Sequence, residues 1–153
     1  MSASLPVGSA TATAPLNLDE APALKVLVYS DDRTTREQVL LSLGRRLSPD
    51  LPVLEITEFA TEPAVIAAVD STRFDLLIFD GEATPVGGMG LARQMKDEIY
   101  RCPPILVLIG RPQDAWLATW SRADGVVSMP IAARTLADTA SVLLRRRLAI
   151  QSQ

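Results

Sequence analysis

The sequence predicts a single α/β domain built on a five-stranded parallel sheet that carries helices on both faces. Short apolar runs alternate five times with segments of helical spacing. Such alternation is typical of parallel sheets whose two faces are both covered. The length of 153 residues leaves room for one domain and short tails, and not for two domains.

The first half of the chain contains two predicted strands and two predicted helices. Residues 25–29 form a short apolar run, typical of a buried strand, and residues 34–47 carry apolar side chains at helical spacing. Residues 52–56 alternate between apolar and polar, which favours an edge strand. A second helix is predicted to begin at Thr61, a capping residue that an early proline, Pro63, follows.

The second half adds three strands and three helices. Strands are predicted over residues 74–79, 105–109 and 125–128, and helices over 91–99, 113–122 and 131–148. The glycine-rich segment 87–90 carries no Walker or dinucleotide pattern, so we interpret it as a flexible connection. With right-handed crossovers, five such units predict the flavodoxin-like strand order 2-1-3-4-5.

The two ends of the chain are expected to be tails. Residues 1–22 are rich in Ala, Ser, Thr and Pro and carry no charge before Asp19, a composition that buries little surface. We therefore predict a flexible N-terminal tail over residues 1–22, the folded domain over residues 23–149 and a short C-terminal tail over residues 150–153.

Composition excludes several classes of function. A net charge of −3 argues against nucleic acid as the main partner, because phosphate binding needs clustered cations. The absence of histidine excludes His-dependent catalysis and metal sites, and the single cysteine excludes an internal disulfide. No run is apolar over the length of a membrane span, and the N-terminus does not resemble a signal peptide. We expect a cytoplasmic protein and no enzyme, since no nucleophile–base pair is visible.

Polar side chains follow the first and third predicted strands. Ser30, Asp31 and Asp32 come after the first strand, and Asp80 and Glu82 come at and after the end of the third. In a doubly wound sheet these two strand ends lie side by side at the point where ligands bind. Converging carboxylates suit a hard cation, above all Mg²⁺.

A purely structural role is the alternative for each of these residues taken alone. Asp is frequent at strand ends because it forms turns and caps helices, and either Asp32 or Thr34 suits the cap of the first helix. The occurrence of Asp31 and Asp80 together, at neighbouring strand ends, favours a functional site.

Taken in order, these segments resemble the receiver domain of two-component response regulators. The landmarks span residues 24–144 and are Val-Leu-Val-Tyr-Ser-Asp-Asp with Arg36, then Asp75–Asp80, Gly90-Leu91, Pro104–Ile109 and Ala123–Pro130. The resemblance implies a CheY-like fold with Asp80 as phosphoacceptor. It also implies Asp31 as the stronger Mg²⁺ ligand, Ser30 at the other acidic position, and Glu82 as the donor of a backbone carbonyl.

The chain departs from that family at four positions. Ser30 replaces an acidic residue, Ile109 replaces the hydroxyl residue that grips the phosphoryl group, Met129 replaces a lysine, and Val126 replaces the switch aromatic. Phosphoryl transfer depends on positioning and on neutralising charge, and a switch requires contacts that differ between two states. These losses remove a main cation and the reporting hydroxyl.

We therefore interpret the chain as an atypical stand-alone receiver, a pseudo-receiver, that binds a protein partner and needs no cofactor. The alternative is a working receiver that a histidine kinase phosphorylates at Asp80. In that alternative, Mg²⁺ lies among Asp31, Asp32, Asp80 and Glu82. Resemblance to mycobacterial orphan receivers implies association with the respiratory NADH:quinone oxidoreductase, complex I, and so a place at the cytoplasmic face of the membrane.

Two further expectations concern the fourth helix and the turn after the fifth strand. Trp116 and Trp120 lie four residues apart and therefore on one side of the helix. We expect Trp116 to lean inward and Trp120 to be the more exposed, as an interface anchor; the alternative makes both of them core residues. Pro130 keeps the proline of the family pattern, and we expect a cis peptide bond before it.

Overall fold

The computed structural model describes residues 17–151, in which five strands alternate with five α-helices. The strands are β1 (Leu24–Tyr29), β2 (Leu54–Phe59), β3 (Leu76–Asp80), β4 (Ile105–Ile109) and β5 (Gly125–Ser128). The helices are α1 (Arg33–Leu43), α2 (Glu62–Ser71), α3 (Gly88–Glu98), α4 (Ala115–Ser121) and α5 (Ala133–Gln151), with a short 3₁₀ turn at Pro112–Asp114 before α4.

All four strand pairs are parallel, and the order across the sheet is β2-β1-β3-β4-β5. The predicted flavodoxin-like order 2-1-3-4-5 is therefore confirmed. Tyr29 in β1 lies opposite Phe79 in β3. Because both strands run in the same direction, the residues that follow this pair, Ser30 and Asp80, stand side by side at the carboxyl edge of the sheet.

The core forms two aliphatic layers, one on each face of the sheet. One layer joins β1, β3 and β4 to α1 and α5, through residues such as Val39 and Leu136. The other joins the opposite side chains of the same strands to α2 and α3, through residues such as Val65 and Leu91. Strands β3 and β4 are buried along their whole length, whereas β2 alternates as an edge strand does.

Several predicted boundaries shift. Helix α1 ends at Leu43, not near residue 47, because Gly44 takes a positive φ of 64° and its N–H bonds to the carbonyl of Leu40. Strand β2 lies two to three residues later than predicted. Helix α5 continues to Gln151, so residues 150 and 151 are helical and not part of a tail.

The glycine-rich segment is also different from its prediction. Gly88 and Gly90 lie in the first turn of α3 and not in a flexible connection. A Cβ atom at Gly88 would lie 2.6 Å from the carbonyl oxygen of Asp80 and 2.8 Å from Cβ of Phe79. Only glycine lets the start of α3 approach the end of β3 so closely.

The predicted N-terminal tail falls partly outside the described residues, which begin at residue 17. Residues 17–22 contain a turn in which the N–H of Glu20 bonds to the carbonyl of Asn17. The carboxylate of Asp19 in this turn lies 2.8 Å from Nη2 of Arg46. No helix in residues 17–151 combines the length and apolar character that a membrane span requires.

Candidate functional site

The site predicted at the ends of β1 and β3 is organised around Asp80. This side chain is 3% exposed, and both of its carboxylate oxygens accept hydrogen bonds from the chain itself. Oγ of Ser30 donates to Oδ2 at 2.7 Å, and the backbone N–H of Glu82 donates to Oδ1 at 2.8 Å. The Ser30 hydroxyl in turn accepts the N–H of Asp32 at 3.0 Å. The carboxylate is therefore buried, satisfied and held in one orientation.

The groups that face the neighbouring strand ends are apolar where the family resemblance implies polar ones. Ile109 at the end of β4 is buried in the layer beneath α2 and α3. Met129 is half-buried and packs against the layer beneath α1 and α5, while its backbone N–H bonds to the carbonyl of Ile109. Neither residue can neutralise a phosphoryl group or donate a hydrogen bond to it from its side chain.

The other predicted carboxylates each have a contact of their own. Asp31 is exposed and accepts a hydrogen bond from Oγ1 of Thr84 at 2.9 Å. Asp32 caps helix α1, where its Oδ1 accepts the N–H of Thr34 at 2.9 Å. The Glu82 side chain lies over Gly110, so a Cβ atom there would collide with it.

The residues of the predicted Mg²⁺ set do not form a cluster of three carboxylate side chains. Residues 17–151 contain no group of three or more Asp, Glu, Cys or His side chains placed to hold one metal ion. The physical reasons are a hydroxyl in place of one acid, at Ser30, and the helix-capping role of Asp32. Mg²⁺ in proteins keeps several waters and takes as few as one or two carboxylates, so a cluster of three side chains is not a requirement for binding it. Convergence of Asp31 and Asp80 on one Mg²⁺ ion stays a prediction.

Positive charge is likewise missing beside Asp80. Across the described part of the chain, no Lys or Arg forms an ion pair with it. The nearby Arg36 is committed elsewhere: its Nη1 donates to the carbonyl of Ser30 at 2.7 Å and its Nε lies 3.1 Å from Oε1 of Glu58. The hydrogen bonds that Asp80 accepts come from neutral donors, the Ser30 hydroxyl and the Glu82 backbone N–H.

Tyr29, the residue before Ser30, packs in the layer beneath α2 and α3. Its ring packs edge-on against Phe79 with centroids 6.0 Å apart, and its hydroxyl donates to the carbonyl of Val86 at 2.5 Å. Burial raises the pKa of the Tyr29 phenol above its ordinary value, and the negative charges of Asp31, Glu62 and Asp80 raise it further. The phenol is therefore a neutral donor that ties the loop after β3 to β1.

The turn after β5 has the geometry expected from the sequence, since the Met129–Pro130 peptide bond is cis. A second cis bond, Thr84–Pro85, lies in the loop after β3 and was not predicted. The same loop contains Gly81, where a Cβ atom would lie 2.6 Å from the carbonyl oxygen of Leu108.

Helix α4 presents both tryptophans to solvent. Trp116 is 67% exposed and Trp120 is 47% exposed, so the expectation that Trp116 leans inward was wrong. The helix spans only residues 115–121, and its buried face consists of the small residues Ala118 and Ser121. The guanidinium of Arg93, on α3, lies 4.9 Å from the Trp120 ring centroid and donates to the Trp120 carbonyl at 2.7 Å.

Comparison with known proteins decides the family. No family model matches the sequence. An uncharacterized response regulatory protein of Mycobacterium tuberculosis, found in two strains, is 56% identical over 127 residues, which cover 83% of this chain and 96% of that protein. The chain belongs to the response regulator family. Its described domain is a receiver domain of the CheY-like fold.

Solved receiver structures agree with this fold. The BeF3-activated DrrB receiver domain is 17% identical and aligns with a TM-score of 0.67 over 82% of this chain and 100% of that one. The chemotaxis response regulator CheY4 of Vibrio cholerae is 22% identical and aligns with a TM-score of 0.68 over 80% of this chain and 99% of that one. At these identities the likeness concerns the fold, so the chemistry rests on the residues of this receiver.

Proposed function

We propose that this receiver is a pseudo-receiver, which acts by binding a protein partner and not by accepting a phosphoryl group. The observation that carries the proposal is the state of Asp80: buried, with both oxygens bonded to Ser30 and Glu82. A nucleophilic carboxylate needs an accessible oxygen and a cation beside it to stabilise the transferred charge. The pocket offers neither.

The apolar neighbours support the same function. Ile109 and Met129 stand at the positions where the family resemblance implies a hydroxyl and a lysine, so these side chains would give the charge of a phosphoryl group on Asp80 no donor. A modified state would gain no new contact from these side chains, and a population shift requires such a difference. The chain therefore keeps one shape.

Incubation with acetyl phosphate and Mg²⁺, followed by intact-protein mass spectrometry, tests this part of the proposal. The expected result is no phosphoryl adduct on the wild-type chain, with a receiver that retains the lysine and the threonine as the positive control. A stable adduct that disappears in the Asp80→Asn variant would instead establish a working phosphoacceptor.

The partner surface that we propose is the exposed side of α4 with the adjoining strand β5. Trp116, Trp120 and Val126 expose apolar surface there, and Arg93 packs over one indole ring. Tryptophan and arginine are the residue types that most often dominate binding energy at protein interfaces. Two exposed indole rings on one short helix therefore offer an apolar surface through which an accessory subunit could bind its partner.

A pull-down with the full chain as bait tests this surface. The Trp116→Ala/Trp120→Ala double variant should lose the partner that the wild-type chain recovers. The matched control is Leu41→Ala, which removes an apolar side chain that is 83% exposed on α1. Equal recovery by the tryptophan variant and the wild-type chain would contradict the proposed surface.

For the identity of the partner we propose complex I, the respiratory NADH:quinone oxidoreductase. Its support is the resemblance to mycobacterial orphan receivers, together with the mycobacterial origin of the 56% identical relative; the name of that relative states no partner. Affinity purification from native cells should recover complex I subunits with the wild-type chain and lose them with the double tryptophan variant. Recovery of a histidine kinase instead would favour the phosphorelay alternative.

A further inference from the structure

Three adjoining cavities lie at the amino-terminal edge of the sheet, opposite the edge that holds Asp80. Their volumes are about 800, about 300 and about 160 Å³. The two larger cavities share Arg73, Arg101 and Arg147 in their walls, and Arg147 also lines the third. Three arginines therefore line neighbouring cavities at this edge.

These arginines come from three separate parts of the fold. Arg73 lies between α2 and β3, Arg101 between α3 and β4, and Arg147 near the end of α5. Arg101 has a positive φ of 55°, a conformation that costs free energy for a residue with a side chain. Its guanidinium lies 5.3 Å from the centroid of the Tyr100 ring.

Within residues 17–151, the positive charge of this group has no carboxylate partner. Among the described residues, none of the three arginines pairs with a carboxylate, whereas seven other arginines do: Arg33, Arg36, Arg46, Arg111, Arg122, Arg134 and Arg145. The acidic residues in the walls are Asp70 and Asp124, and Asp124 pairs with Lys96 at 2.6 Å. A chain of net charge −3 thus concentrates unpaired cations at one edge.

Arg147 also retains hydrogen-bonding capacity. Its Nε is buried and has no hydrogen-bond partner within residues 17–151. Its Nη2 makes a long hydrogen bond, 3.3 Å, to the carbonyl of Phe74. A buried donor without a partner is uncommon, and a bound ion or water is one explanation for it.

We propose that this edge binds a small molecule that carries a phosphate or diphosphate group on a flat organic body, the class to which nucleoside diphosphates belong. The guanidinium fork matches phosphate oxygens in geometry and charge. The largest cavity exceeds what a lone phosphate fills and lies in the size range of small-molecule sites. Tyr100, 85% exposed beside Arg101, and the exposed Ile150 offer surface for the organic part.

This site is independent of the pseudo-receiver proposal, because it shares no residue with the Asp80 pocket or with the α4 surface. Calorimetric titration of the full chain at constant ionic strength tests it, with ADP, inorganic pyrophosphate and adenosine as probes. We expect ADP and pyrophosphate to bind and adenosine not to bind. We expect the Arg73→Gln/Arg101→Gln variant to lose affinity by about tenfold for each guanidinium removed.

Two further measurements place the binding at this edge. The control variant is Arg134→Gln, which removes an exposed arginine at the start of α5 and should leave ADP affinity unchanged. Cys102, the one cysteine of the chain, lines the largest cavity, so ADP should slow its alkylation by the uncharged reagent N-ethylmaleimide. The double arginine variant should lose that protection.

The proposal is overturned if neither ADP nor pyrophosphate binds, or if the double variant binds both as well as the Arg134→Gln control does. A separate experiment measures binding to vesicles that contain phosphatidylglycerol. Binding to such vesicles, without binding to either soluble phosphate compound, would identify a membrane-facing surface and overturn the small-molecule site. Each of these results leaves the phosphorylation and pull-down tests unaffected.

Discussion

The hydroxyl of Ser30 donates a 2.7 Å hydrogen bond to Asp80, and this contact joins β1 to β3 at the point where a metal-dependent receiver would place charge. The bond is buried at both ends, since Ser30 is 1% exposed and Asp80 is 3% exposed. The proposed function gives this bond a structural role, which stability measurements can test.

Removal of the Ser30 hydroxyl should destabilise the fold. In Ser30→Ala, Oδ2 of Asp80 loses its donor while buried, so we expect a loss of about 1–3 kcal/mol in the free energy of unfolding, measured by urea denaturation. A double-mutant cycle with Asp80→Ala should show that the two effects are coupled. Ser42→Ala, at an exposed site on α1, is the control and should change stability little. Additive effects in the cycle would contradict the structural role of the bond.

The role of Asp32 can be separated from metal binding by two substitutions. Asp32→Ala should lower stability by about 1 kcal/mol, because the first turn of α1 loses its cap. Asp32→Asn should be close to neutral, since an amide oxygen accepts the Thr34 N–H equally well. Urea denaturation with and without Mg²⁺ provides the measurement. Stabilisation by Mg²⁺ that vanishes in Asp32→Asn would indicate a metal ligand and not a cap.

The junction between β3 and α3 should not tolerate a side chain. We expect Gly88→Ala to destabilise the chain by more than about 2 kcal/mol, because its Cβ would meet fixed backbone atoms of Asp80. Gly90→Ala is the matched control in the same helical turn, where no atom lies within 4 Å of the added Cβ. That variant should gain about 0.5–1 kcal/mol from its higher helix propensity. Equal thermal unfolding midpoints for the two variants would refute the tight junction.

Alkaline pH should destabilise the chain through Tyr29. Its pKa is raised in the folded state, so the folded chain holds this proton while the unfolded chain releases it near the ordinary value of 10.0. Stability is therefore complete below that value and falls as the pH rises toward the folded pKa. Urea midpoints at about pH 8 and about pH 11 should differ less in Tyr29→Phe than in the wild-type chain. Tyr100→Phe, at an exposed ring, should retain the wild-type difference.

Restoring the missing groups should restore phosphoryl acceptance. The Ser30→Asp/Ile109→Thr/Met129→Lys variant replaces the serine hydroxyl with an acid. It also adds a threonine hydroxyl as hydrogen-bond donor and a lysine as the cation that phosphoryl transfer requires. We expect an acetyl phosphate adduct on this variant, lost on further substitution Asp80→Asn, and none on the wild-type chain. A triple variant that folds normally yet stays unmodified would show that other features silence Asp80.

The sequence was sufficient to predict the sheet, because its signals are local and strong. The runs at residues 105–109 and 125–128 became β4 and β5 with unchanged bounds, and the capping residue Thr61 precedes α2 as expected. Strand β2 was placed too early because Pro52 and Val53 extend its apolar pattern toward the N-terminus, although the strand itself begins at Leu54.

The candidate site was predictable as a location and not as a set of contacts. Ser30 and Asp80 were predicted to be neighbours because they lie at adjacent strand ends. The hydrogen bond between them could not be predicted, since it depends on how two segments 50 residues apart align in the sheet. Trp116 was misplaced because a large apolar residue is usually buried, whereas α4 buries its small side, Ala118 and Ser121. The arginines of the opposite edge could not be grouped, since Arg73 and Arg101 lie in two different connections and Arg147 lies in α5.

The hydrogen bond between Ser30 and Asp80 has a consequence for how partner binding would be regulated. Under the proposed function, the Asp80 pocket does not respond to magnesium or to kinase activity. The amount of complex with a partner would then depend on how much of the chain the cell makes. Expression level, and not the covalent state of Asp80, would control binding.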